Sequence, residues 1–411
     1  MMHFLRRLLK INLKWFFVCA FALLLNGQFL YFGIVQFSGN EPNSSMTGMW
    51  FIALMSISVA WGSTKERLEL TWIDFFIFLF YIYIVLYYLY NDYDSFLLLQ
   101  KYLVFGIYAY CTGRLFPRKY LINLMYLTVI LGVLSIILSV CVILNIDGSF
   151  VNGRFAIPVS KNPIMTGITF SIVCYVCILL FVNLEKNRYS YSHAIIFIIG
   201  LFSLIFILLA ASKQAFIDLA IALAYLWIKW KPVRRARYIA IGCVSSIVVL
   251  YFFLRSGNLH LLQSFQHFFV SQSSKIRIEV MNAGLDAFKE NPIFGVGPGV
   301  TLWSHNIYID TAGLLGVVGL LLLVFATIPV MLKIILVKVS YHQKKCTEYL
   351  FVYGVMLMFF FTSIVSGVLF SSFSFFLCLG LVVKIVPGLK RMKVFTYNIK
   401  LKPERLISEK Y

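Results

Sequence analysis

A histidine and an asparagine at the head of an apolar run are the residues best placed to do chemistry. In SHNIYID, His305 and Asn306 stand where a membrane helix would begin. The positive end of that helix would disfavour imidazolium and keep His305 neutral, as a general base must be. The competing reading is an interfacial polar residue that caps the helix. Upstream, SKIRIEVMNAGLDAFK (274–289) reads as a helix closed by Asn291-Pro292. Arg277, Met281, Gly284 and Phe288 fall on one stripe of it, so Arg277 faces protein and needs an anionic partner. Between the two lies IFGVGPGV, where Gly295, Gly297 and Gly299 around Pro298 force tight turns and let a backbone or ligand approach closely. No GK[ST] follows, so this is not a P-loop, and no βαβ unit surrounds it. A bare structural turn is the alternative.

The elements that must position these residues are membrane helices. The chain is 61% hydrophobic and only 13% charged, with mean hydropathy +0.88. Soluble domains run near 45–50% apolar and about 25% charged, so lipid must be the solvent here. The fold class expected is an all-α polytopic membrane protein with about twelve transmembrane helices, since each span takes roughly 17–25 apolar residues. Apolar runs place them near 15–37, 46–62, 69–90, 95–112, 120–145, 162–183, 193–211, 213–229, 237–254, 307–337, 349–369 and 371–388. Residues 1–411 read as one integral membrane domain, and 255–306 as its one large outer loop. Within that loop 259–270 has the spacing of a second short amphipathic helix. The basic N-terminus continues into a long apolar run without a small-residue cleavage site, so a first membrane helix is expected and not a signal peptide.

Charge orients the bundle. With the N-terminus inside, Lys and Arg favour the inner segments by roughly four to one overall, a bias that persists along the chain. Both termini are therefore expected in the cytoplasm. The net charge of +20 is explained by topology and does not imply nucleic acid. The outer cations, which topology disfavours, are Arg154, Lys161, Lys213, Arg255, Lys275, Arg277 and Lys289. Of the eight cysteines, Cys174 and Cys177 form a CxxC inside an apolar run, where packing is the expected role because hydrocarbon suppresses thiolate chemistry. Asp92 and Asp94 make a DxD, but in a four-residue turn where Asp is favoured anyway.

Four segments in order resemble the bacterial O-antigen polymerase and O-antigen ligase superfamily, a group of membrane C-type glycosyltransferase-like proteins. They are GRFAIPVSKNPIMTG (153–167), AASKQAFIDLA (210–220), SKIRIEVMNAGLDAFKENPIFGVGPG (274–299) and SHNIYIDTAGLLGVVGLL (304–321). At the second of these the family usually has Arg, and this chain has Lys213, which keeps the charge but loses the bidentate fork.

The resemblance implies a metal-independent, inverting glycosyltransferase with no cofactor, on the outer face of the bacterial inner membrane. The donor it implies is a glycan on an undecaprenyl-pyrophosphate carrier. The acceptor is a sugar hydroxyl, either on another lipid-linked repeat unit (polymerase, the expected activity) or on lipid A–core (ligase). Membrane lipid and a chain-length regulator complete the implied partners. Arg154, Lys213 and Arg277 would meet the pyrophosphate, His305 would serve as base, and Asn306 and the three glycines would support them. A transporter of lipid-linked oligosaccharide is the different-class alternative. It would need polar residues along the membrane interior and repeated halves, whereas intramembrane charge here is sparse, with Lys101 and Asp218 the chief cases.

Overall fold

A computed structural model describes residues 15, 17–25, 52–60, 62, 69–91, 96–145, 150–151, 154–155, 163–183, 191–229, 272–300, 302–337 and 346–386. They are helical apart from turns and one small hairpin. The helices are α1 (17–25), α2 (52–60), α3 (Trp72–Tyr90), α4 (Phe96–Tyr102), α5 (Ala109–Leu115), α6 (Leu121–Asn145) and α7 (Pro163–Asn183). After them come α8 (Tyr191–Ala210), α9 (Lys213–Lys229), α10 (Gln272–Glu290), α11 (Ile307–Leu336), α12 (Cys346–Val365) and α13 (Phe373–Ile385). The strands β1 (Phe150–Val151) and β2 (Arg154–Phe155) pair antiparallel, with Val151 opposite Arg154.

This is a helical membrane protein. Among the described residues six helices are long and apolar enough to cross a bilayer: α3, α6, α7, α8, α11 and α12. The expected spans at 69–90, 120–145, 162–183, 193–211, 307–337 and 349–369 correspond to them. The run 213–229 is a helix over the expected bounds, and two others come out differently. The run 95–112 is not one regular helix, because a π-helical turn (Leu103–Tyr108) separates α4 from α5. There Gly106 lies against the Tyr81 ring, and a side chain would overlap it. The run 371–388 contracts to 13 residues behind a 3₁₀ turn, Leu369–Ser371. Thirteen residues rise only about 20 Å, short of the roughly 30 Å hydrocarbon core. The expected span 237–254, the amphipathic stretch 259–270, and Asp92 and Asp94 lie outside the described residues.

The core is contiguous and dominated by Phe, Leu, Val and Ile, with Cys174 and Cys177 buried in it as free thiols. Small residues let helices close on one another. Gly113 on α5 and Gly380 on α13 each sit against the partner helix's main chain, the tight contact that helices use in lipid. Gly132 on α6 likewise faces Val173 on α7.

The break in α11 matters most for the site. Gly316 has φ 64 and ψ −164, which splits the helix after Leu315. Hydrogen bonds that a continuous helix would make are exchanged with the preceding loop. The carbonyls of Gly313 and Leu314 accept from Val296 N and Gly297 N at 2.9 and 2.8 Å. The amides of Val317 and Val318, which would have served those carbonyls, donate to Pro292 O and Ile293 O at 2.8 and 3.5 Å. Because lipid offers no partner for a free peptide group, a broken helix requires such an exchange. Tyr83 and Tyr87 of α3 close the junction, donating to Leu315 O and Gly295 O at 3.2 and 3.1 Å.

Candidate active site

The glycine turn is thus a splice into α11, which explains two of its three glycines. Gly295 has φ 78 and Gly297 φ 99, both in the region L side chains avoid. A Cβ at Gly295 would overlap the Leu314 main chain. Gly299 is not among the described positive-φ glycines, so the sequence expectation of a demanding backbone holds for the first two only.

The splice turns the chain back so that α10 lies along the first half of α11. Their contact is close. A Cβ at Gly284 would come within 2.8 Å of Ile309 Cγ2 and 3.2 Å of Ser304 Cβ, and one at Gly313 within 2.8 Å of the Gly284 carbonyl. The stripe expected on α10 is the one that packs. Gly284 is buried, Arg277, Met281 and Phe288 are half-buried, and their neighbours Ile278, Glu279 and Leu285 are exposed. Arg277, two turns before Gly284, thereby reaches the neighbourhood of His305.

Asn306, not His305, caps α11. Its side-chain oxygen accepts from Tyr308 N and Ile309 N at 2.9 and 3.2 Å. The capping alternative for His305 is therefore filled by its neighbour. His305 itself is half-buried, with φ 58. That left-handed backbone is uncommon for any residue but glycine and persists only where its surroundings enforce it.

The enforcing residue is Asp310. Fully buried one turn into α11, it accepts from Ser304 N at 2.8 Å and from Leu369 N at 3.1 Å. One carboxylate thus ties the turn that carries His305 to the loop that follows α12. From that loop Ser366 hydrogen-bonds the imidazole through its main chain. The Ser366 amide is already used by Thr362 O at 2.8 Å, so the carbonyl is the partner. It is one of the carbonyls that the end of α12 leaves without a helical donor.

Electrostatics favour the neutral ring. Burial, and then the nearby Arg277 charge, push the His305 pKa below its ordinary value, against a smaller upward pull from the Ser366 hydrogen bond. Burial lowers the Arg277 pKa as well, and among the described residues no carboxylate lies within ion-pair distance of it. The pair is a desolvated cation beside a neutral imidazole. This arrangement can receive an anion and take a proton.

The other two segments converge on one another. Gly167, at the end of the first, faces Ser212 and Ala215 of the second at 2.9 and 2.7 Å from its ideal Cβ. Ser171 donates to Ala215 O at 2.9 Å, and Phe155 packs on Phe206 at 5.6 Å between ring centroids. Lys213 opens α9 just after Ala211, whose φ is 45, and its own side chain is half-buried. From α9 the buried Asp218 accepts from Thr362 at 2.7 Å and from Gln214 at 2.7 Å. Thr362 lies one turn from Ser366, so α12 joins the Lys213 helix to the His305 turn. The Arg154 backbone sits in the hairpin, and its side chain is outside the described residues. No described contact joins Lys213 directly to Arg277 or His305.

Residues 195–324 match the family described as O-antigen ligase.

That stretch contains three of the four segments, so the resemblance to the O-antigen polymerase and ligase superfamily holds across α8, α9, α10 and the first part of α11. The comparison with curated proteins finds no match. Sequence reasoning missed Ser366, which belongs to no motif and lies some sixty residues downstream of His305. Asp310 was open to detection, because an acid near the start of an apolar helix is costly unless it is used.

Proposed function

We propose that this protein transfers a glycan from an undecaprenyl-pyrophosphate carrier to a sugar hydroxyl, as a surface-polysaccharide polymerase of the O-antigen type. The observation that carries the reading is the juxtaposition of Arg277 and a neutral His305 within the matched family stretch. His305 takes the proton of the acceptor hydroxyl as its oxygen attacks the anomeric carbon of the donor. The new glycosidic C–O bond forms as the bond to the pyrophosphate oxygen breaks, in one displacement that inverts the anomeric centre. The leaving group keeps the electron pair and remains on the carrier. It is already a weak base, so it needs cations more than an acid, and Arg277 supplies one beside the reacting centre. Lys213 and Arg154 are assigned to the same pyrophosphate. Protein cations in that role require no metal, and the reaction is assigned as metal-independent.

Twelve spans, both termini in the cytoplasm, and the His305 face outside the inner membrane complete this reading. The lysine and arginine bias supports the orientation. A cysteine-labelling experiment tests it. Single cysteines at Ser273 and Ser304 should react with an impermeant reagent in intact spheroplasts, and those at Ser190 and Gln343 only after lysis.

The second reading is O-antigen ligase, favoured by the description of the matching family. Lys213, in place of the usual arginine, tips the assignment toward polymerase. Gene deletion followed by a gel of the surface polysaccharide separates them. Loss of a polymerase leaves single repeat units on the core. Loss of a ligase leaves polymer on the carrier and a bare core, and that result would overturn the assignment.

A further inference from the structure

Hydroxyls inside this bundle commonly serve their own helix. Thr128, Ser139, Ser203 and Thr311 each donate to the carbonyl four residues earlier, at 2.9, 2.8, 2.8 and 2.6 Å. In lipid that carbonyl is the nearest acceptor. Thr362, in the last turn of α12, departs from this pattern. It donates at 2.7 Å to one oxygen of Asp218 on α9, a residue with no exposed surface. Gln214, one turn earlier on α9, donates to the other oxygen at 2.7 Å. A carboxylate inside a membrane bundle is costly, and apolar side chains would join two helices at lower cost. What the hydrogen bonds add is a fixed position.

The position it fixes is that of the group holding His305. The Thr362 carbonyl accepts from Ser366 N at 2.8 Å, and the Ser366 carbonyl holds the imidazole. A helix end frays, because its last carbonyls lack helical donors. Asp218 anchors the last turn of α12 on one side of Ser366, and Asp310 anchors Leu369 on the other. We propose that Asp218 is a positioning residue of the transfer reaction, acting through Thr362 and Ser366 to keep His305 aimed at the acceptor hydroxyl. The inference rests on the transfer reading above. Asp218 meets no substrate in this scheme and exchanges no proton with one. Its helix opens with Lys213, so the element assigned to the pyrophosphate also carries the anchor of the base.

The test uses the full-length protein in nanodiscs with carrier-linked oligosaccharide as substrate. Thr362→Val keeps the shape of the side chain and removes its hydroxyl. It should lower kcat about tenfold, with KM and melting temperature as in wild type. Thr362→Ser keeps the hydroxyl and should restore most of the loss. In a His305→Ala background Thr362→Val should cost nothing more, because groups that act as a unit are not additive. If Thr362→Val folds poorly, combining it with Asp218→Val removes both polar partners and leaves no buried charge unpaired. That double variant should show the same loss of kcat. Wild-type kcat in the folded variant would overturn the proposal. A raised KM at unchanged kcat would move the effect to substrate binding and overturn it too. So would a further loss on top of His305→Ala, since Thr362 would then act on something besides the base. A wild-type protein that transfers to no saccharide at all sinks the reaction itself, whereas an active one with any of these patterns sinks only the role of Asp218.

Discussion

Two arginines, each with its acid or base neighbour, divide this molecule into a part that is held and a part that works. Arg114 on α5 is buried and paired with Asp74. Its Nε and Nη2 reach the two oxygens of Asp74 at 2.7 and 2.9 Å, and Nη2 also meets Glu69 O at 2.6 Å. Tyr110 donates to the same Asp74 at 2.6 Å, and Thr71 closes a capping box with it at the head of α3. Every oxygen of that carboxylate is used, and no room is left for a ligand. Arg277 has the opposite surroundings. It is half-buried, its described surroundings provide no carboxylate, and it lies beside a histidine whose backbone is strained. A charge desolvated without a partner is costly, and natural proteins keep such an arrangement where a ligand supplies the missing charge.

Substitutions can sharpen or break that contrast. The largest effect is expected at His305. His305→Ala should lower turnover of purified protein by about 10²–10⁴-fold with donor affinity little changed, since base catalysis contributes that much. His305→Gln should resemble it, because Gln cannot take the proton. Near-normal turnover by His305→Asn would leave the site without its base.

Arg277→Ala should follow, with a loss of about 10²–10³-fold, the usual worth of one group that stabilises developing charge. Its melting temperature in detergent should hold, and Arg277→Lys should restore activity only in part. Arg114→Ala should do the reverse. Stripping Asp74 of its cation should cost about 3–5 kcal/mol of stability, read as lower membrane abundance and melting temperature, while the protein that remains folded turns over normally. If Arg114→Ala were stable but inactive, the two arginines could not be separated in this way.

Asp310→Asn should give a smaller loss of about tenfold. One of its two main-chain partners would then face an amide N–H, and the His305 turn would loosen relative to Ser366. A loss confined to stability would make Asp310 a packing residue only. The smallest effect concerns pH. With the His305 pKa below its ordinary value, the acid limb of kcat/KM should fall below pH 6.5, near the unperturbed imidazole value. Arg277→Gln removes a lowering charge, so the limb of its residual activity should move upward. A limb that moved downward would place the two groups too far apart to interact.

Much of this was legible in the sequence because it followed from composition and period. Lipid as solvent, six of the expected spans, the packed stripe of α10 and the positions of the four motif segments all follow from apolar run length and spacing along one chain. So does the need for glycine at Gly295 and Gly297. Regular elements are local, and the 3.6-residue repeat of a helix is written in neighbours. The need for glycine at Gly106 was not legible, since it comes from a tyrosine ring on another helix.

The sequence also placed His305 at a helix start, but it could not divide the work between His305 and Asn306. That required knowing which oxygen reaches Tyr308 N. Tertiary structure alone decided that Gly316 breaks α11 and that the glycine loop replaces the lost hydrogen bonds. It alone decided that Asp310 ties two loops, and that Ser366 from the end of α12 holds the imidazole. These contacts join residues tens of positions apart through single main-chain groups. Every residue carries such groups whatever its side chain, so the sequence gives no sign of which ones will meet.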